Sequence, residues 1–186
     1  MKILKERDVY IWRHLKFVEL DYIKPDWNPW KWEKLSRNFP WVVWALVENI
    51  DNNSFVFVEQ FRPPVNKKVL ELVAWVIDKP GKTNEQIITE EILEETGYIV
   101  KNIEFIMSWP KSPWLTDEIS YDYYAQVSWT RWKQYLWDSE DIRVIEIEKS
   151  DLDRFLSHKE KSWVLVSPSI YSILYKILTT RKINIK

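Results

Sequence analysis

The chain has 186 residues, with 27 Lys and Arg against 28 Asp and Glu, for a net charge of −1. That length suits one compact domain with an appendage and a substantial core. The near-zero charge favours neither nucleic acid nor an acidic membrane surface, and the absence of cysteine excludes disulfides and thiol catalysis and suits a reducing compartment.

Met1 to Asp8 lack the apolar core of a secretion signal, and no apolar run approaches a membrane span. A cytoplasmic protein without membrane or nucleic-acid partners is expected. Residues 1–39 read as short strands, among them Lys16 to Ile23, broken by a turn from Pro25 to Pro29. Residues 40–186 read as the main domain. Val42 to Ile50 and Ser54 to Gln60 are expected strands around an Asp51-Asn52-Asn53 turn, and Phe61-Arg62-Pro63-Pro64 runs into a proline-limited loop. Val69 to Ala74 is a second short strand, followed by a loop through Asp78-Lys79-Pro80-Gly81.

A helix is expected next. Thr83 and Gln86 form a capping-box pattern, Ile87, Ile88 and Ile92 make an apolar stripe, and Gly97 supplies the left-handed stop. Glu91, Glu94 and Glu95 share one face of this helix, and no basic residue occurs between Lys82 and Lys101. Like charges at this spacing cost helix stability. A hard divalent cation, which takes oxygen ligands, would offset the repulsion. A solvated acidic face has the same pattern, so the run alone does not decide between them. Beyond it, Val100 to Met107, Glu118 to Val127 and Ile142 to Glu148 read as strands. Asp151 to Leu156 opens a helix, and Pro168 to Thr180 forms the last one, with Ile170, Ile173, Leu174 and Ile177 as its core face. His14 and His158 lack any ligand-like spacing.

Four segments in order carry a resemblance. They are Gln60 to Pro64, the run Glu90-Glu91-Ile92-Leu93-Glu94-Glu95-Thr96-Gly97-Tyr98, the loop Ser112-Pro113-Trp114-Leu115-Thr116-Asp117-Glu118, and Ser139-Glu140-Asp141-Ile142-Arg143-Val144. Together they resemble the Nudix hydrolases, in the ADP-ribose pyrophosphatase-like branch, over nearly the whole chain. The resemblance implies an α/β fold: an α/β/α sandwich with a mixed sheet, preceded by a small N-terminal antiparallel sheet that commonly mediates homodimerisation.

It also implies Mg²⁺-dependent hydrolysis of the diphosphate bond of ADP-ribose or a related nucleoside diphosphate sugar, giving AMP and a sugar phosphate, with Mn²⁺ as a substitute metal. By the same resemblance, Glu91 and Glu95 are metal ligands, Glu94 assists, and the Ala74 carbonyl completes the site. Glu140 is the candidate general base, with Asp141 behind it. Arg62, Glu71 and Glu118 are placed at the substrate, and Trp32 matches an aromatic that stacks the adenine. Each has a plainer rival: a surface ion pair for Arg62, a solvated loop charge for Glu140, a core or interface residue for Trp32, and loop capping for Asp117 and Glu118.

The departures from the family pattern are informative. Lys82 aligns with the first glutamate of the box and Glu90 with its arginine, so the two charges are exchanged and a reversed ion pair is expected. Trp75 and Trp114 stand on family glycines. The chain has 13 Trp and 2 Gly, against roughly 13 glycines for an average domain of this length. Asp26-Trp27-Asn28-Pro29-Trp30 reads as a turn written DGNPG. Trp12, Trp41 and Trp137 also match usual glycines, and Trp109, Trp129, Trp132 and Trp163 stand in turn-like settings. Only Trp32 and Trp44 read as natural tryptophans. We read the other eleven as UGA codons that the source decodes as glycine, because glycine alone accepts positive φ or close backbone approach without cost. Two further functions stay open at this point: a UDP-sugar diphosphatase, and, if Trp75 and Trp114 are genuine, a non-catalytic nucleotide-binding module.

Overall fold

The computed structural model of the chain describes residues 1–136 and 141–181. In chain order the elements are β1 (Lys2–Ile11), β2 (Leu15–Ile23), β3 (Pro29–Arg37), β4 (Trp41–Asn49), β5 (Ser54–Arg62), β6 (Lys67–Glu71), β7 (Val73–Val76), α1 (Asn84–Thr96), β8 (Tyr98–Pro110), β9 (Ile119–Arg131), β10 (Arg143–Glu148), α2 (Leu152–Glu160), β11 (Leu165–Val166) and α3 (Pro168–Arg181). They divide into two compact units. One comprises Met1–Val42, Val76–Asp78 and Ser108–Ser120; the other comprises Val43–Trp75, Lys79–Met107 and Tyr121–Lys186.

The first unit contains a three-stranded antiparallel sheet, β1-β2-β3. Strand β1 is exposed along its whole length, so it carries no burial pattern by which sequence could place it. The β2–β3 connection shows why glycine belongs at position 27. Trp27 N–H donates to the Lys24 carbonyl (3.0 Å) and Lys24 N–H to the Asn28 carbonyl (3.1 Å). Asp26 accepts from Asn28 N–H through its carboxylate (3.1 Å). This is a three-residue hairpin loop, which ends in a left-handed residue that glycine normally supplies. Trp27 occupies that place with φ 62° and is 83 % exposed, so its side chain gains nothing from packing. Trp27→Gly is therefore expected to stabilise the protein by about 0.5–1 kcal/mol, the left-handed penalty less the entropy glycine loses. Urea denaturation checks this; a loss of stability would remove the strain argument.

The larger sheet runs β11-β6-β5-β4-β9-β8, with β10 pairing β5 and β7 pairing β4. It is mixed, because β11 runs parallel to β6 while β5 is antiparallel to β4, β6 and β10. With its helices it forms the α/β/α sandwich expected from the sequence. The apolar run of β4 is buried from Val42 to Asn49, as a strand covered on both faces must be. The expected turn joins β4 to β5, with Asn53 at φ 48°, a conformation asparagine tolerates. Glu48 is buried in this core and bonded to Lys149 and Tyr124, with Gln126 Nε2 donating at 2.9 Å. Burial opposes its ionisation, but these donors prevail and hold its carboxyl below the usual range.

Two differences from the sequence reading have a clear cause. The expected strand from Val69 to Ala74 is two strands, because the chain changes partner at Leu72: β6 pairs with β5 and β7 with β4. Strand β11 has two residues and no periodicity to reveal it. The helices follow expectation. In α1, Thr83 Oγ1 accepts from Gln86 N–H (3.3 Å) and Gln86 Oε1 accepts from Thr83 N–H (2.9 Å). Gly97 closes it at φ 76°, its N–H donating to the Leu93 carbonyl. Ile87, Ile88 and Ile92 are buried, as are Ile170, Ile173, Leu174 and Ile177 of α3. Among the described residues no helix is long and apolar enough to cross a membrane.

Candidate active site

The capping box fixes where α1 starts, and the isoleucine stripe fixes which face turns inward. Together they set the aspect of the glutamates. Glu91 and Glu95, one turn apart, are only 1 % and 5 % exposed, and Glu94 is half-buried. Burying carboxylates is costly unless charge and hydrogen bonds compensate. Part of the compensation is a residue the sequence reading left without a role. Lys79 Nζ lies 2.7 Å from Glu91 Oε1 and 3.3 Å from Glu90 Oε2. Burial opposes the charge on Lys79, but the hydrogen bond and charge of Glu91, the bond to Glu90 and the charge of Glu94 prevail and raise its pKa. The only sequence signal was a lysine in a loop before an acidic helix, which no periodicity marks.

Lys82 Nζ lies 2.6 Å from both Glu90 oxygens. The exchanged charges of the box thus meet as a reversed ion pair, and Lys82 is the main cause holding the Glu90 carboxyl below its ordinary range. Gly81, at φ 80°, lets this loop turn. Lys79 Nζ also stands 5.6 Å from the centre of the Trp75 ring, a cation–π distance.

On the neighbouring strands, Arg62 and Glu71 meet. Arg62 Nε donates to Glu71 Oε2 at 2.6 Å, and Gln60 Nε2 approaches the same oxygen at 3.5 Å. Glu71 is buried while Arg62 is half-exposed. The buried carboxylate therefore aims the guanidinium, whose remaining N–H donors form a fork suited to phosphate oxygens. Ala74 lies half-buried in β7.

In the other unit, Trp32 Nε1 donates to the Trp114 carbonyl at 3.2 Å. Leu35 N–H donates to the Leu115 carbonyl at 2.8 Å. Asp117 accepts from Lys34 Nζ and Ser36 Oγ, both at 2.8 Å, and Arg37 Nε lies 3.8 Å from Glu118. The loop 112–118 is thus tied to β3, a tie that sequence spacing could not show because its halves lie some eighty positions apart. Glu140 and Trp137 lie outside the described residues; Asp141 is exposed.

The donor chemistry fits a hard divalent ion: two buried carboxylates one turn apart, with a third beside them. Among the described residues, however, no three His, Asp or Glu side chains are gathered into a ready cage. An ammonium, Lys79, supplies cationic charge at Glu91 instead.

The tryptophan reading divides by position. Of the eleven, Trp12, Trp27, Trp30, Trp41, Trp114, Trp132 and Trp163 are exposed, contrary to the usual burial of this residue. Trp75 and Trp109 are half-buried. Trp44, read as natural, is buried in the core strand. Among the described tryptophans only Trp27 has positive φ, so at 75 and 114 the argument is the bulk of the indole and not backbone strain.

No family model matches the chain. The ADP-ribose pyrophosphatase of Bacillus subtilis (strain 168) and the methanol dehydrogenase activator of Bacillus methanolicus are each 29 % identical to it over 132 residues, 70 % of this chain and 69 % of theirs. A crystal structure described as an ADP compounds hydrolase shares the fold, with a TM-score of 0.66 at 15 % identity over 82 % of each chain. With its sequence motifs, this fold and those two relatives beside it, the chain is similar to the Nudix hydrolases.

Proposed function

We propose that the enzyme hydrolyses the diphosphate bond of ADP-ribose or a related nucleoside diphosphate sugar with Mg²⁺, giving AMP and a sugar phosphate. The observation that carries this reading is the buried pair Glu91 and Glu95 on α1, charge that only a cation compensates fully. A divalent ion held there would neutralise the diphosphate and bring a water into line for attack on phosphorus.

The chain's own residues do the rest. Glu91 and Glu95 would hold the ion, with Glu94 and the Ala74 carbonyl as further candidate ligands. Arg62, aimed by Glu71, binds phosphate oxygens by its free donors. By the resemblance, Trp32 is the candidate to stack the adenine, and Glu140 is the candidate to take the proton from the attacking water.

A direct comparison of ADP-ribose with UDP-glucose, each with Mg²⁺ and with EDTA, tests this. The expected result is Mg²⁺-dependent release of AMP and ribose 5-phosphate from ADP-ribose. Faster turnover of UDP-glucose would reassign the enzyme to UDP-sugars. Negligible turnover of both would sink the diphosphatase reading.

A further inference from the structure

We propose that Lys79 is a resident counter-cation for the metal site: its ammonium holds the Glu91 carboxylate in the metal-free protein and must leave before a divalent ion can take that carboxylate. The proposal rests on the reading of Glu91 and Glu95 as the metal-binding pair.

Lys79 differs from an ordinary surface lysine in three ways. Its side chain is a quarter exposed while that of Glu91 is nearly fully buried, so water screens the 2.7 Å contact far less than an exposed pair. It is enclosed on another side by the Trp75 ring. Its loop is turned towards α1 by left-handed Gly81 and anchored by the Lys82–Glu90 pair. A cation fixed there competes with any other cation for the same oxygen.

Glu90 gives the displaced ammonium somewhere to go. It already lies 3.3 Å from Lys79 Nζ, so on metal entry Lys79 can release Glu91 and keep Glu90. An arginine at position 90 would repel Lys79 instead. The exchange of charges at 82 and 90 and the placement of Lys79 thus make one device: the metal-free Glu91 is paired internally, and metal affinity is lower than the carboxylates alone would give.

The test is Mn²⁺ binding, measured by the electron paramagnetic resonance of free Mn²⁺ at pH 8, with metal-free melting as a second readout. Lys79→Met is expected to bind Mn²⁺ about tenfold more tightly, equivalent to about 1.4 kcal/mol, and to melt lower without metal. Lys79→Arg keeps the charge and is expected to stay near wild type in both. Lys79→Gln is the second neutral variant should the methionine variant fold poorly. Unchanged or weaker Mn²⁺ binding in the neutral variants would overturn the proposal. Glu91→Gln separates the two levels of inference. If it loses Mn²⁺ affinity while the neutral Lys79 variants gain none, only the role of Lys79 falls. If it binds Mn²⁺ like wild type, the metal-site reading falls as well.

Discussion

Glu95→Gln is expected to lower turnover of a nucleoside diphosphate sugar by about 10²–10³-fold, the usual cost of removing one preorganised charge from a reacting centre, while the fold is kept. Glutamine matches glutamate in volume and keeps an acceptor oxygen, so the packing of α1 against its neighbours survives. Only the charge is removed, and burying a charge is itself unfavourable. Metal-free melting should therefore be retained, whereas the rise in Tm on adding Mn²⁺, which reports binding to the folded state, should shrink. Turnover within a few-fold of wild type would remove Glu95 from the metal site. Melting far below wild type would mean that its carboxylate is structural.

Protein purified from its native source is expected to carry glycine at positions 27, 75 and 114, and its intact mass should fall well below the 22.7 kDa of the written chain. Position 27 is a left-handed hairpin residue. At position 114 the indole is 66 % exposed, on a loop whose turn is closed by Leu115 and Thr116 N–H donating to the Ser112 carbonyl. At position 75 the indole flanks Lys79 on β7, the strand that precedes α1. Glycine at 75 would open the approach to Ala74 and remove one wall around Lys79. Peptide sequencing across the three positions decides the matter. Tryptophan at 75 and 114 in native protein would refute recoding and return the non-catalytic alternative to consideration.

Local chemistry made much of the fold legible. The capping box, the isoleucine stripe and the Gly97 stop are contained within α1 and its ends, so sequence suffices to place it. The Asp51-Asn52-Asn53 turn and the core face of α3 were readable for the same reason: their causes lie within a few residues. Strand β1 has no buried face, β11 is two residues long, and the break at Leu72 depends on which strands lie alongside. None of these is a local property.

The site divides in the same way. Sequence alone determined that Glu91, Glu94 and Glu95 share a helical face, that Lys82 and Glu90 carry exchanged charges, and that tryptophan stands at positions where the resembled family has glycine, since spacing and residue chemistry are written in the chain. Only the tertiary structure decided that Arg62 is aimed by Glu71, that Asp117 ties its loop to β3, and that Lys79 rests on Glu91. Each of those contacts joins residues on different elements, and an ion pair forms where folding brings two charges within reach and keeps water from screening them.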